Sequence, residues 1–129
     1  MERDCPFCSL PRDRVFHEGP VVVGLWDGYP VTDHHALLVP RRHVATWFDA
    51  TDDERAALVA AIDVAKTEIE RHRSVDGYNV GFNAGTAAGQ TVPHLHVHVI
   101  PRSHGDMPDP TGGVRNVIPG KANYRRAGE

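Results

Sequence analysis

Apolar positions along the chain change their period several times, and each change marks an element. Residues 14–26 (RVFHEGPVVVGLW) read as two short strands around a Glu18-Gly19-Pro20 turn. Residues 29–34 carry Pro30 and Asp33 and read as loop. The apolar run 36–39 is stopped by Pro40 and predicts a buried strand, and 44–48 reads as a helical turn. Thr51-Asp52-Asp53-Glu54 is a capping box, in which hydroxyl and carboxylate each satisfy an orphan amide. Leu58, Ile62, Ala65 and Ile69 then recur at helical spacing as one apolar stripe, so a helix is predicted over 52–73. Arg71 to Arg73 fall in its last turn, and Gly77 follows as a stop. Such a helix covers a sheet. Residues 78–83 predict a strand, 84–90 a turn with two glycines, and 91–100 the strongest strand. From Arg102 through Tyr124 the chain is rich in Pro, Gly and Asp, which predicts loop and no helix.

The length of 129 residues fits one domain, expected over 1–129. A formal net charge of -3 argues against a large nucleic-acid-binding surface, and no nucleic acid is expected as a partner. No apolar run approaches the ~20 residues of a membrane span. No basic segment followed by an apolar one resembles a secretory signal, so a cytoplasmic setting is expected.

Chemistry enters with nine histidines and two cysteines. Both cysteines lie in Cys5-Pro6-Phe7-Cys8. A C-x-x-C pair reads as half a metal site, as a redox pair, or as two unremarkable thiols. The redox reading needs a preceding strand, and none is predicted there. The metal reading needs two more ligands from elsewhere in the chain.

In His94-Leu95-His96-Val97-His98-Val99-Ile100, histidines alternate with aliphatics. Successive strand residues point to opposite faces, so Leu95, Val97 and Val99 are expected beneath the helix and the histidines on the other face. Along that face neighbours are ~6.6–7 Å apart. Three uses are open for the row: a polar sheet face, a three-histidine zinc site, or chemistry at phosphorus with imidazole as the nucleophile. The preceding stretch, Asn83-Ala84-Gly85-Thr86-Ala87-Ala88-Gly89-Gln90-Thr91, favours the third. Its glycines allow close approach to an anion, and backbone amides there can form an anion-binding nest. Arg102 after the strand adds a guanidinium suited to phosphate.

With these residues in order, the sequence resembles the histidine triad superfamily of nucleotide hydrolases and transferases. The match runs outward from His94-x-His96-x-His98 to Asn83-x-Gly85, Gly89-Gln90-Thr91-Val92-Pro93 and Pro101-Arg102. Upstream, Asp27, His35 and Leu37-Leu38-Val39-Pro40-x-x-His43 follow in the family's order. The resemblance covers a core of about 4–105 and leaves 106–129 as a loop-rich C-terminal extension. It implies an α+β fold with about five antiparallel strands and two helices, paired as a homodimer.

It also implies a reaction. His96 would attack the α-phosphorus of a nucleotide, forming a nucleotidyl-histidine that water resolves. His98 would contact phosphate and leaving group, and His35 would orient the triad. Asn83, Gly89, Gln90 and Thr91 would bind phosphate oxygens, with Gln90 also serving catalysis. Asp27 would accept hydrogen bonds from ribose hydroxyls. Phe7, Leu10, Leu25 and Trp26 would form the base pocket, with adenine the expected base. The Pro101-Arg102 ending and Gly105-Asp106 resemble the dinucleoside-polyphosphate hydrolase branch, which includes the fragile-histidine-triad proteins. Alternatives are a phosphoramidate or aminoacyl-adenylate hydrolase, a phosphorylase, or a nucleotide-binding signalling protein. His34 departs from a glycine common in the family. Arg115 and Lys121, in the extension, are candidates for a second phosphate or nucleoside. Zinc-bearing members imply Cys5, Cys8, His43 and His94 as the ligands of one structural zinc per chain, with no organic cofactor.

Overall fold

The computed structural model describes residues 4–124. The ends of the expected 1–129 domain, residues 1–3 and 125–129, lie outside the described residues. Five strands, β1 (Val15–Glu18), β2 (Val22–Trp26), β3 (Ala36–Pro40), β4 (Gly77–Gly81) and β5 (Val97–Arg102), form one sheet in the order β1-β2-β3-β5-β4. Every pairing is antiparallel. One α-helix, α1 (Asp52–Glu70), lies between β3 and β4 in the chain.

Local chemistry explains most boundaries. The β1–β2 hairpin closes where Gly19 N–H donates to Val22 O at 2.9 Å. At the start of α1 the Thr51 hydroxyl accepts from Glu54 N–H, and the Glu54 carboxylate accepts from Thr51 N–H. Arg42 then clamps that carboxylate through two nitrogens. α1 ends at Glu70, short of the expected 73, because Arg71–Arg73 turn away from the helical path. The second helix implied by the resemblance is only a 3-10 turn, Trp47–Asp49, squeezed between caps at Thr46 and Thr51.

The sheet has two different faces. Leu58, Ala61, Ala65 and Ile69 of α1 pack onto Val22, Ala36, Leu38, Leu95, Val97 and Val99. Full burial of Leu58 or Ile69 contributes about 1.5–3 kcal/mol each. The opposite face carries a smaller cluster of Val23, Leu25, Leu37 and Val39, covered by Phe7, Leu10 and Val15. This thin cover leaves room for a site.

The last strand departs from its expected span. β5 begins at Val97 rather than at 91, and runs on through Arg102. Its ladder to β3 stops at the Val97–Leu38 pair. Upstream, Leu95 N–H donates to Val44 O at 2.7 Å, and the His94 ring takes the Pro40 carbonyl. Those off-ladder bonds bend residues 94–96 away from the strand, so the three histidines are not one flat row.

Candidate functional site

His94 turns into a cluster at the N-terminal segment. Its Nε2 is 2.8 Å from Pro40 O. A carbonyl only accepts, so this nitrogen carries the proton and Nδ1 is left with its lone pair. Nδ1 lies 3.4 Å from Cys5 Sγ, 3.5 Å from Cys8 Sγ and 3.2 Å from His43 Nδ1. The remaining close pair, Cys8 Sγ and His43 Nδ1, is at 3.1 Å. Bond lengths of ~2.3 Å to sulfur and ~2.0–2.1 Å to nitrogen give a tetrahedron with edges of about 3.3–3.8 Å. The donors therefore converge as a metal needs, and soft thiolates with imidazoles suit zinc. All four donors come from protein, which leaves no position for a substrate.

His96, only 9% exposed, does something different. Its Nδ1 lies 2.8 Å from the carbonyl of His94. That contact places the proton on Nδ1 and leaves Nε2 as a bare nitrogen, the form in which imidazole attacks an electrophile. The Phe7 ring lies 5.0 Å from the His96 ring, tilted by 50°. Phe7 sits between the two cysteines, so a metal gripping Cys5 and Cys8 also fixes the ring beside His96.

His98 is read through a chain of donors. Val31 N–H donates to His35 Nδ1 at 3.2 Å, so neutral His35 carries its proton on Nε2. Nε2 is 2.9 Å from His98 Nδ1 and 3.4 Å from Asp27 Oδ2. His98 Nδ1 then accepts, and its own proton sits on Nε2. Burial, with the His96 and His35 rings beside it, pushes the His98 pKa down to about 4. Burial also lowers that of His35, against the pull of Asp27. Both rings are neutral near neutrality, one relaying orientation and the other offering an N–H. Asp27, His35 and His98 lie close enough to hold a metal, but the hydrogen bonds already account for their facing atoms.

The loop before β5 departs from expectation. Gly85 and Gly89 have φ of 92° and 90°, where a side chain is strained. Gln90, expected at a phosphate, spends its amide on this loop. Its Oε1 accepts from Gly85 N–H at 2.8 Å, and its Nε2 donates to Ala45 O and Val92 O. A buried amide must find partners, and here the backbone supplies them. Thr91 and Gly89 lie exposed beside it.

Two more expected residues are placed elsewhere. Trp26 follows Leu25 and so faces the opposite way, packing on the α1 side against Phe16 with ring centroids 4.4 Å apart. It does not share a pocket with Phe7, Leu10 and Leu25. Arg102 is held by Asp106 at 2.6 and 2.7 Å and by Asn79 at 2.7 Å, so its guanidinium anchors a turn. In the extension, Arg115 donates to Ala122 O and Lys121 O and lies over the Tyr124 ring. Lys121 is exposed.

The extension nevertheless reaches the site. A groove of about 460 Å³ opens beside His35, His98 and Asn83, with Gly113, Asn116 and Val117 forming its far wall. That is the size range of small-molecule sites. The 3-10 turn Gly113–Val117 that builds this wall was legible only as a glycine pair.

Comparison with known proteins agrees with this geometry. Residues 11–105 match the profile described as "HIT domain". The chain is 38% identical over 107 residues to a protein named AP-4-A phosphorylase from Mycobacterium tuberculosis, covering 78% of this chain and 55% of that one. It is 37% identical over 101 residues to the nitrilase and fragile histidine triad fusion protein of Caenorhabditis elegans, covering 78% of this chain and 23% of that one. The chain thus spans about half or less of these curated relatives. Among solved structures, a Zn-bound histidine triad family protein from Mycobacterium smegmatis is 30% identical with a TM-score of 0.71, covering 98% of this chain and 99% of that one.

Proposed function

Because the chain belongs to the HIT-domain family, we propose that it cleaves dinucleoside polyphosphates, such as diadenosine tri- or tetraphosphate, at the α-phosphorus. The observation that carries this reading is the pair of tautomers, a bare Nε2 on His96 and an Nε2–H on His98. In the first step the His96 Nε2 lone pair bonds to the α-phosphorus and the bond to the bridging oxygen breaks. That oxygen keeps the electron pair, and the nucleoside polyphosphate departs. The His98 N–H donates to phosphate oxygen or to the departing oxygen as charge builds there. Water then attacks phosphorus and gives up a proton to solvent, the electron pair of the P–N bond returns to His96 Nε2, and a nucleoside monophosphate leaves with His96 restored.

Asn83, Gly89 and Thr91 are proposed to meet phosphate oxygens, and Asp27 the ribose hydroxyls. Gln90 acts by holding the loop. Phe7, Leu10 and Leu25 offer an apolar seat for the base, adenine by preference. The groove under Asn116 and Val117 receives the departing half. Bound zinc, one per chain, is proposed to supply no chemistry and to fix the N-terminal segment through Cys5, Cys8, His43 and His94.

The same intermediate attacked by phosphate instead of water would make the enzyme a phosphorylase, as the Mycobacterium tuberculosis relative is named. A substrate panel decides among these. Diadenosine tri- and tetraphosphate are compared with adenosine phosphoramidate, with and without added phosphate, and the adenylylated protein is sought by mass spectrometry. Hydrolysis of the dinucleotides with a transient adenylyl mass is expected. Turnover confined to the phosphoramidate would overturn the substrate assignment.

A homodimer is proposed through β4. Its outer edge pairs with no strand among the described residues, and Phe48, Val59 and Val80 lie exposed around it. Sedimentation equilibrium at assay concentration tests this. A cytoplasmic setting is proposed because the two thiols must stay reduced to hold zinc. No helix among the described residues is long and apolar enough to cross a membrane.

A further inference from the structure

His34 and His35 adjoin in sequence and serve opposite faces of the sheet. Ala36 and Leu38 pack under α1, whereas Leu37 and Val39 lie with the cluster under Phe7. In the turn just before β3, His34 meets Trp26 and His72 on the helix side, whereas His35 meets His98 at the site. On the helix face the His34 ring stacks on His72, with centroids 4.6 Å apart and planes 11° apart. Trp26 meets both rings edge-on, at 5.1 and 5.6 Å. The next residue, Arg73, donates to Asp33 O at 2.8 Å and to Ser103 Oγ at 2.6 Å. The chain leaving α1 thus grips two consecutive residues of the turn, Asp33 and His34.

His34 is costly where it stands. Its φ is 66°, the one positive value outside glycine among the described residues. Glycine takes that conformation freely and a residue with a β-carbon does not. Its Nδ1 is buried without a hydrogen-bond partner. Burial first, then charge at His72, holds the His34 pKa below the usual histidine value, which favours the neutral form of the His34 ring. The stack is the gain that offsets both costs.

We infer that the His34–His72 stack is a positioning device for His35 and, through it, for His98. The His35 ring is anchored within the same turn, since Val31 N–H donates to its Nδ1 and His35 N–H donates to Thr32 O. Loosening the turn moves that anchor and the proton directed at His98 together. Neither stacked ring lines the groove beside His35 and His98. The inference rests on the roles proposed above for His96 and His98.

The test compares wild type, His72→Ala, His72→Phe, His34→Gly and the double variant His34→Gly/His72→Ala, all zinc-loaded. Turnover of diadenosine triphosphate is measured, and the His35 and His98 ring tautomers are read by ¹⁵N NMR. For His72→Ala, kcat falls roughly tenfold with KM within about twofold, since misplacement rather than lost binding is at stake. His98 then shifts from its Nε2–H form to a tautomer mixture. His72→Phe keeps a flat ring against His34 and restores both readouts. Glycine at 34 needs no stack, so in the His34→Gly background His72→Ala changes kcat by less than about twofold. Wild-type turnover and ring spectrum in His72→Ala overturn the inference, as does an equal loss in both backgrounds. If His72→Ala does not fold, His34→Ala replaces it. That variant keeps the strain and loses the ring, so a kcat equal to that of His34→Gly overturns the inference. The ring spectra need no turnover, so an inactive wild type refutes the proposed reaction while the spectra still decide the stack.

Discussion

His94 and His96 stand two residues apart and belong to different centres. Each ring has one nitrogen hydrogen-bonded to a backbone carbonyl, that of Pro40 for His94 and that of His94 for His96. The difference is which nitrogen is engaged. His94 gives Nε2 to the backbone and turns Nδ1 toward two thiols and a second imidazole. His96 gives Nδ1 to the backbone and keeps Nε2 free for an electrophile. Both rings lie against Phe7, but residues 94–96 are outside the β3–β5 ladder and turn different nitrogens to the backbone. An imidazole's chemistry is therefore set by the partner of its other nitrogen.

The largest test of that contrast is His96→Asn. It removes the proposed nucleophile and leaves the metal cluster whole, so turnover should fall at least ~10³-fold. Nucleotide affinity by calorimetry and the melting temperature should stay close to wild type. Near-normal turnover would break the assignment of the two rings. The complementary perturbation is metal removal with a chelator, or Cys5→Ser. This should lower the melting temperature by roughly 5–15 °C, because a ligand bound only by the folded state stabilises it. Metal analysis of protein purified without chelator should give about one zinc per chain. Metal-free protein with an unchanged melting temperature would show that the four donors are not a metal site.

A smaller effect sharpens the second centre. Asp27→Asn keeps an acceptor for Tyr29 N–H, which now bonds Oδ1 at 2.8 Å, but loses the charge. KM should rise about tenfold with a lesser change in kcat, as for loss of a charged hydrogen bond to substrate. A pure kcat effect would instead place Asp27 in the relay to His98. The smallest effect is in pH. His98 has its pKa pushed down to about 4 in the folded protein, against about 6.5 when unfolded. As pH falls, the unfolded chain takes the proton first, so stability present above about 6.5 is lost progressively toward about 4. Thermal melts between pH 7 and 4 should show a steeper decline in wild type than in His98→Asn. Parallel slopes would mean that His98 titrates normally in the folded state.

Where sequence succeeded, the physics was local. Alternation placed Leu95, Val97 and Val99 under α1, and the Thr51–Glu54 capping box fixed where α1 begins. The family motif named residues expected at one site, and the fold brings Asp27, His35 and His98 of that set together. It carried no information on competing partners in the fold. Arg102 had a guanidinium suited to phosphate, but Asp106 four residues on claims it. Gln90 had an amide suited to an oxyanion, but Ala45 O and Val92 O claim it. The resemblance groups Trp26 with Leu25 in one pocket, although neighbours on a strand point to opposite faces.

By itself the sequence determined where α1 begins, the apolar stripe that joins helix to sheet, and the inventory of imidazoles and thiols. These follow from side-chain type and short-range period. Only the tertiary structure decided which nitrogen of each histidine is free, since that depends on carbonyls at Pro40 and His94 and on the amide of Val31. It also decided that His34, a departure from the expected glycine, is balanced by a ring 38 positions away. Hydrogen-bond partners and ring stacks are distance relations, and the folded backbone alone brings those atoms within reach.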